Sequence, residues 1–277
     1  IEEGTDYNLE LIQKRVDDGY SIVVFPEGTR SLDGEIKRFH KGAFYLAQEL
    51  KLDIQPIIIF GAYYINPKND FIIKSGSLIL VVMKRIKCSD ALFKQRFGLM
   101  TKEITKMMRE ELINVSKKEQ TPNYLKKRIF YNYLYKSPIV EWYVKIKWRM
   151  ENENYKFYDS LIGGRSKVYD IGCGLGYLGY YLHYRDTQRK IIGIDYDDHK
   201  IKIAQNGYDK TDQLLFLHGD IRNLEIENAD VVLFNDVLHY MSSAQQLQVL
   251  EKTASNLNEN GMILIRDGIT DLEDRHS

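Results

Sequence analysis

Cysteine is scarce in this chain of 277 residues, which holds only two thiols, Cys88 and Cys173. Two cysteines this far apart form neither a disulfide framework nor a cysteine-based metal cluster, so we expect a reducing compartment and no metal site. No apolar run approaches the ~20 residues of a membrane-spanning helix, and no secretory signal is visible. These absences favour a cytoplasmic protein built from globular domains.

Net charge is also absent, because 39 basic residues balance 39 acidic ones. The charge is unevenly distributed: residues 121–149 hold seven Lys or Arg against one acid, whereas residues 195–277 hold sixteen acids against seven Lys or Arg. The length also exceeds what one mid-sized core needs. We therefore predict two modules joined by a basic segment. We predict that the first module spans residues 1–118 and the second module residues 161–277. Between them, residues 119–160 form a linker with lead-in helices.

Apolar runs alternate with helical patterns along most of the chain. For the first module the sequence predicts helices at 7–18, from about 41, and at 89–115, with strands at 21–25, 53–62 and 77–86. For the second it predicts strands at 167–172, 190–197, 214–220, 229–239 and 261–268, each followed by a helix or a polar loop. The predicted fold class is α/β, and the second module is a doubly wound parallel sheet.

The stretch "VYDIGCGLGYLGYYL" leads from the first of these five strands into a helix and contains two overlapping glycine patterns. Gly174, Gly176 and Gly179 fit the dinucleotide fingerprint G-x-G-x-x-G, with Asp195 at the distance of a ribose-binding acid. The same stretch spells D-x-G-x-G-x-G from Asp170. A carboxylate at the strand end suits a cationic amino-acid tail, whereas a pyrophosphate needs a helix N-terminus brought close by glycines. The residues therefore favour a nucleoside with an amino-acid tail over NAD.

The second pattern resembles motif I of the class I S-adenosylmethionine-dependent methyltransferases, and "IIGID", "HGDI" and "LFNDVLHYM" resemble later motifs of that family. The resemblance implies a Rossmann-like fold with S-adenosylmethionine as cofactor. It also implies that Asp195 accepts both ribose hydroxyls and that Asp220 holds the adenine amino group. The implied cofactor-binding residues are Asp170, Gly172, Cys173, Gly174, Gly176, Asp195, Tyr196, Asp220, Ile221, Asn235 and Asp236. A degenerate domain that binds no cofactor is the alternative.

His239 follows the fourth strand, near the place where the methyl group is expected to emerge. An imidazole titrates near neutral pH, so we predict that His239 is a general base for the methyl acceptor. The alternative is a solvated histidine at the start of a helix.

A second motif, "FPEGTRS", ends the apolar run at 21–25 in a turn. Pro26 stiffens the turn, Gly28 allows close backbone approach, and the Arg30 guanidinium matches a phosphate. With "RFHKGAFYLA" and "IQPIIIFGA", this turn resembles motifs III and IV of the PlsC-like glycerophosphate and lysophosphatidate acyltransferases, over residues 1–115. The resemblance implies acyl-CoA or acyl-carrier protein as donor. It places Glu27 in the active site, and the substrate-binding residues that we assign are Gly28, Thr29, Arg30, Ser31 and Lys41.

Both ends of the chain depart from these families. The acyltransferase family uses a histidine followed five positions later by an aspartate, and no histidine here has that partner. We expect the catalytic base to lie upstream of Ile1, so that this piece alone transfers no acyl groups. After "GMILIRDGIT" we expect two further strands beyond residue 277, which makes the methyltransferase fold truncated.

Cations in residues 121–149 alternate with Tyr and Trp, which favour the headgroup region of a bilayer. We expect this segment to lie on an anionic membrane surface; a solvated helix face is the main alternative, and nucleic acid is not expected beside an acidic module.

The combined expectation is a bifunctional bacterial enzyme of phospholipid metabolism at the inner face of the cytoplasmic membrane, which acylates a lysophospholipid or lipid-linked acceptor and methylates the product. The alternatives are a methyltransferase for a small soluble acceptor, with a vestigial acyltransferase half, and a non-catalytic lipid-binding scaffold.

Overall fold

The structure is a computed structural model that describes residues 3–165 and 167–268. The chain divides into two compact units, unit 1 (Ile1–Glu119) and unit 2 (Gln120–Ser277). In the described ranges, no helix combines the length and the apolar character needed to cross a membrane. The strands expected after residue 270 lie outside the described residues.

Unit 1 pairs a small sheet with helices. Its elements are α1 (Glu3–Asp17), α2 (Gly42–Glu49), β1 (Ile57–Phe60), α3 (Ala62–Ile65), β2 (Ile79–Val82) and α4 (Phe97–Glu119). β1 and β2 run antiparallel, with Ile57 opposite Val82. The core lies between α2, the sheet and α4, and is formed by Phe39, Phe44, Ile58, Ile86, Met100, Ile104 and Met108. The last helix begins later than predicted, because Ala91–Lys94 forms a separate 3-10 turn.

The strand predicted at residues 21–25 is wrong. This segment has no regular secondary structure, and Val23 and Phe25 are 79% and 71% exposed. A run of β-formers becomes a strand only when another strand supplies its hydrogen bonds, and β1 and β2 pair with each other instead. The run therefore enters the turn at Pro26 as an extended, exposed segment.

Unit 2 is built on a five-stranded sheet. Its elements are α5 (Pro122–Tyr131), α6 (Pro138–Ile162), β3 (Lys167–Ile171), α7 (Tyr177–Arg185), β4 (Lys190–Asp195), α8 (Asp198–Gln205), β5 (Leu214–His218), β6 (Ala229–Asn235), α9 (Ser243–Ser255) and β7 (Leu257–Arg266). The strand order is β5-β4-β3-β6-β7, and every pair is parallel. The predicted parallel α/β fold is confirmed.

The strand order reverses beside β3. From β3 the chain adds β4 and β5 on one side and then returns to place β6 and β7 on the other side. The helices that follow β3 and β6 consequently leave on opposite faces, which opens a crevice at the carboxyl ends of these strands.

The two helices before the sheet belong to unit 2. Thr121 and Ser137 cap them by accepting hydrogen bonds from backbone N–H groups, and a proline follows each cap. Tyr133, between the two helices, and Trp148 and Tyr155 of α6 are buried in one cluster with Tyr177, Tyr180, Tyr181 and Tyr184 of α7. Much of the aromatic content of the basic segment is thus core.

Candidate functional site

A cavity of about 420 Å³ occupies the crevice at the carboxyl ends of β3, β4 and β6. Ten of the predicted cofactor-binding residues line it: Asp170, Gly172, Cys173, Gly174, Asp195, Tyr196, Asp220, Ile221, Asn235 and Asp236. Gly176 and His239 are not among the lining residues. The sheet therefore brings side chains from four separate stretches of sequence to one place.

The glycine turn after β3 forms one wall of the cavity. Gly172, Gly174 and Gly176 have φ angles of 72°, 56° and 78°, in the left-handed region that other residues rarely adopt. A Cβ on Gly172 would lie 2.1 Å from Val237 Cγ2. Both the backbone conformation and the close approach therefore require glycine at position 172.

Asp195 fastens this turn to the end of β4. Its Oδ2 accepts a hydrogen bond from the Gly174 N–H at 2.7 Å, and its Oδ1 accepts one from the Asp197 N–H at 2.9 Å. The side chain is buried at the cavity wall. Each carboxylate oxygen has two lone pairs, so Asp195 retains acceptor capacity for hydroxyl groups inside the cavity.

Asp170 is the least satisfied group in the site. Its side chain is 2% exposed, and its Oδ2 has no hydrogen-bond partner in residues 3–165 and 167–268. Burial, together with the charges of Glu151 and Asp195, raises the pKa of Asp170 to about 7. A buried carboxylate that faces a cavity without a partner calls for a cationic ligand group. An ammonium group would be such a partner.

The raised pKa of Asp170 gives a pH-dependent stability. The pKa in the folded state lies above the ordinary value of 3.8, so ionisation penalises the folded state increasingly as the pH rises from about 4 to about 7. Without cofactor, Asp170→Asn should therefore stabilise the protein more at pH 8 than at pH 5, by about 2–3 kcal/mol in the free energy of unfolding. Urea titrations at both pH values measure this difference. Asp212→Asn, at an exposed position outside the cavity, is the control, and parallel pH curves for Asp170→Asn and wild type would contradict the assignment.

The polar side chains on the far side of the cavity, Asp220, Asn235 and Asp236, already have hydrogen-bond partners. Asp220 accepts hydrogen bonds from Arg222, which lowers its pKa, so an adenine amino group would share this carboxylate. Asn235 Oδ1 accepts from the Tyr158 hydroxyl and from Arg266, each at 3.0 Å. Arg266 also donates to Asp236 Oδ2 at 2.9 Å.

Helix α6 supplies cavity residues that the sequence motifs did not indicate. Tyr143, Lys147 and Glu151 follow each other at intervals of four and therefore line the cavity from one helix face. Glu151 is buried and accepts hydrogen bonds from Lys147 at 2.8 Å and from the Tyr155 hydroxyl at 3.3 Å. The sequence pattern that could have indicated these cavity residues is their i, i+4, i+8 spacing on one face of a helix rich in aromatic residues.

His239 lies beside the cavity and forms a pair with Asp267. Its Nδ1 is 2.6 Å from Asp267 Oδ1, and the ring is centred 4.1 Å from that of Tyr240, which does line the cavity. Asp267 Oδ2 also accepts hydrogen bonds from the N–H groups of Val237, Leu238 and His239. Hydrogen bonds to His239 and the backbone keep the Asp267 carboxylate ionised by lowering its pKa, although partial burial opposes this. The acid thereby orients the imidazole.

The predicted phosphate-binding turn of unit 1 is held by contacts of its own. Glu27 Oε2 accepts a hydrogen bond from the Lys37 N–H, and Arg30 donates to Asn66 Oδ1 at 2.7 Å and to the Asn66 and Pro67 carbonyl oxygens. Gly28 has a φ of 69°, and a Cβ there would lie 3.1 Å from the His40 ring. These contacts fix the shape of the turn, and a phosphate role for Arg30 stays a prediction.

The other predicted substrate-binding residues of unit 1 are Thr29, Ser31 and Lys41. The Ser31 hydroxyl accepts from the Gly34 N–H at 3.0 Å, Thr29 is exposed, and exposed Lys41 precedes α2 as its N-cap. Pro26 and Pro56 line a cavity of about 190 Å³ whose other walls are mostly aliphatic and aromatic. Unit 1 thus has an apolar cavity next to a polar turn.

In comparison with known proteins, the two units match different families. Residues 163–275 match the family described as a methyltransferase domain, and residues 5–60 match the family described as acyltransferase. A carboxy-S-adenosyl-L-methionine synthase of Actinobacillus pleuropneumoniae is 34% identical over 110 residues, which are 38% of this chain and 46% of that protein. The synthase of Vibrio parahaemolyticus is 33% identical over 107 residues, 37% of this chain and 44% of that protein. The chain therefore spans about half the length of the curated relatives it matches.

Solved structures in the comparison also include methyltransferases. The TehB-like methyltransferase of Corynebacterium glutamicum has 19% identity and a TM-score of 0.38, with 48% of this chain and 78% of that chain covered. The plantazolicin methyltransferase BpumL, solved with SAH, has 20% identity and a TM-score of 0.36, with 56% and 60% covered. The family match, the parallel sheet and the fit of the cavity residues agree. Unit 2 has the Rossmann-like parallel α/β fold of the methyltransferase family that residues 163–275 match, and its cofactor is S-adenosylmethionine.

Proposed function

We propose that unit 2 transfers a methyl group from S-adenosylmethionine to a lipid-linked acceptor, within a bifunctional enzyme whose other activity acylates a lysophospholipid or glycerophosphate-type acceptor. The observation that carries the methyl-transfer part is the unpartnered Asp170 carboxylate in a cavity that also presents Asp195 and Asp220. These three acids match the ammonium, ribose and adenine of one ligand. We place the protein in the bacterial cytoplasm, at the inner face of the membrane.

In this proposal, different cavity residues bind different parts of the cofactor. Asp170 binds the ammonium group, Asp195 accepts the ribose hydroxyls, and Asp220 accepts from the adenine amino group beside Ile221. Gly174, where an added Cβ would meet no atom within 4 Å, leaves its backbone open to the amino-acid tail. When bound, S-adenosylmethionine supplies an electrophilic methyl group on its sulfonium.

His239 is our candidate for the base. Asp267 holds its Nδ1, so its Nε2 is the nitrogen that can take the proton from an acceptor hydroxyl or amine. The ring is 39% exposed next to Tyr240 and does not line the cavity, which supports a role toward the acceptor rather than the cofactor. The pair would act on an acceptor that extends past the Tyr240 ring.

Support for the acyl-transfer half comes from unit 1. The acyltransferase family match at residues 5–60 includes the whole of the "FPEGTRS" turn. The apolar cavity beside Pro26 and Pro56 has the lining that an acyl chain requires. We propose that this cavity takes the acyl chain from acyl-CoA or acyl-carrier protein, with Arg30 available for the acceptor phosphate.

A second candidate follows from the curated relatives. Because they are named carboxy-S-adenosyl-L-methionine synthases, unit 2 is also a candidate for forming carboxy-S-adenosyl-L-methionine. In that case a carboxyl group from a separate donor would be attached to the cofactor's methyl carbon, which would lose a proton, and no methyl group would reach a lipid. The mass of the nucleoside product distinguishes this reaction from methyl transfer.

The proposal is tested by following the methyl label. The chain is incubated with methyl-labelled S-adenosylmethionine and vesicles of phospholipid and lysophospholipid, and the label is extracted into organic solvent. We expect labelled lipid and S-adenosylhomocysteine, with a rate that falls by about 10²–10⁴-fold in His239→Gln while cofactor affinity is unchanged.

The same assay identifies the alternatives. Label in a water-soluble product would point to a small acceptor. When a carboxyl donor is added to the assay, a heavier carboxylated nucleoside would point to the second candidate. Cofactor binding without any turnover would reject catalysis under these conditions and favour a scaffold.

A further inference from the structure

Helix α6 exposes an apolar surface on the side away from the core. We define the α6 stripe as Ile139, Trp142, Ile146, Met150, Phe157 and Leu161. These side chains are 36–77% exposed. At 3.6 residues per turn, all six lie within an arc of about 100° along the helix. Scattered exposed apolar residues are ordinary, but six of them in one row along a helix of 25 residues, interrupted by one acidic residue, indicate a contact surface.

The opposite side of the same helix is buried against the core of unit 2. Val144, Trp148, Tyr155 and Ile162 are buried in the aromatic cluster against α7. At its last turn, Asp159 accepts hydrogen bonds from Arg185 and Arg189, at 2.8 and 2.9 Å. The helix is therefore fixed on unit 2 along its length, and the stripe is a face of a rigid body.

Positive charge follows one edge of the α6 stripe. Lys145, Arg149 and Lys156 are exposed and lie within an arc of about 40° directly beside it. Glu153 is the acidic residue that falls within the stripe. An apolar face with a row of cations at its edge, and with Trp142 on the face, is complementary to the headgroup region of an anionic bilayer.

The other edge of the stripe borders the cofactor cavity. Tyr143 and Lys147 line that cavity and lie on the helix between the stripe and the buried face. A surface that covers the stripe is consequently next to the place where an acceptor would meet the cofactor.

We propose that the α6 stripe docks unit 2 on an anionic lipid bilayer, so that headgroups of the membrane reach the cavity past Tyr143 and Lys147. The inference rests on the proposed function for the identity of the acceptor, but not for the docking itself. The apolar side chains enter the headgroup boundary, and the cationic row contacts lipid phosphates.

Vesicle co-sedimentation of the 277-residue chain tests the docking. The vesicles contain phosphatidylcholine alone or mixed with phosphatidylglycerol, at about 0.05 M and about 0.5 M salt. We expect the mixed vesicles to bind the protein in a salt-sensitive way. The stripe variant Ile139→Ser/Trp142→Ser/Met150→Ser should partition at least about tenfold less. The charge variant Lys145→Gln/Arg149→Gln/Lys156→Gln should lose the preference for phosphatidylglycerol.

Two single variants serve as matched controls. Leu247→Ser removes an apolar residue of α9 that is 59% exposed, and Phe71→Ser removes a fully exposed aromatic residue of unit 1. Both should bind vesicles as the wild type does. S-adenosylmethionine titration checks that each variant is folded.

The outcomes separate docking from function. Stripe variants that bind vesicles like wild type, or a loss that occurs only in Phe71→Ser, would overturn the docking proposal. A wild-type dimer that the stripe variant converts to a monomer, with no vesicle binding by either, would assign the stripe to a second copy. Vesicle binding through the stripe without methylation of lipid would instead reject the proposed acceptor and leave the docking intact.

Discussion

Asp195→Ala should weaken the binding of S-adenosylmethionine about 30- to 1000-fold. This range corresponds to about 2–4 kcal/mol, the cost of losing two hydrogen bonds to a charged acceptor. The variant also releases the Gly174 N–H, which Asp195 holds at 2.7 Å, so the glycine turn loses its attachment to β4. Titration calorimetry with the cofactor and with S-adenosylhomocysteine measures the effect.

Two further variants make this result interpretable. Asp195→Asn keeps one carbonyl oxygen and the side-chain volume, so its affinity should fall between those of wild type and Asp195→Ala. Asp212→Ala removes an exposed acid that does not line the cavity and should bind as the wild type does. Wild-type affinity in a folded Asp195→Ala protein would remove Asp195 from the cofactor site.

Gly172→Ala should destabilise unit 2 by about 2–5 kcal/mol and abolish cofactor binding at ordinary concentrations. A side chain at a φ of 72° costs about 1–2 kcal/mol, and insertion of a methyl group 2.1 Å from Val237 Cγ2 adds about 1–3 kcal/mol of overpacking. Urea unfolding and calorimetry measure the two losses separately.

A second substitution divides this cost into its parts. Gly172→Ala/Val237→Ala relieves the side-chain clash, so the double variant should recover the overpacking part and keep the backbone part. Gly164→Ala, at a glycine with no positive φ and no atom within 4 Å of its added Cβ, should leave stability within about 0.5 kcal/mol of wild type. An equal loss in Gly164→Ala would mean that the turn geometry is not the cause.

The parallel sheet could be predicted because its signals are local. Each of its five strands is a short apolar run, and the glycine pattern after β3 marks the strand-to-helix turn that the φ angles of Gly172 and Gly176 require. The carboxyl ends of parallel strands meet at one edge, so placing Asp170 and Asp195 on those ends also placed them around one cavity.

What the sequence could not supply depends on contacts between distant segments. Residues 21–25 read as a strand, but pairing decides whether a strand forms, and β1 pairs with β2. Glu151 reaches the cavity because α6 packs against α7, and Asp267 meets His239 because β7 ends beside β6. The partner of Arg30, Asn66, lies 36 residues further along the chain. No local sequence pattern predicts these contacts between residues that are far apart in the chain.

The two thiols of the protein differ in their chemistry. Cys173 is buried in the cavity wall, where burial and the neighbouring charges of Asp170 and Asp195 raise its pKa far above the ordinary value. The thiolate is the form that reacts with electrophiles, so we expect Cys173 to react slowly with alkylating reagents at neutral pH. Cys88 is exposed in unit 1. A maleimide dye therefore attaches to unit 1 at Cys88 and leaves the methyltransferase cavity unmodified, which gives the native chain a ready site for a fluorescent reporter without any substitution.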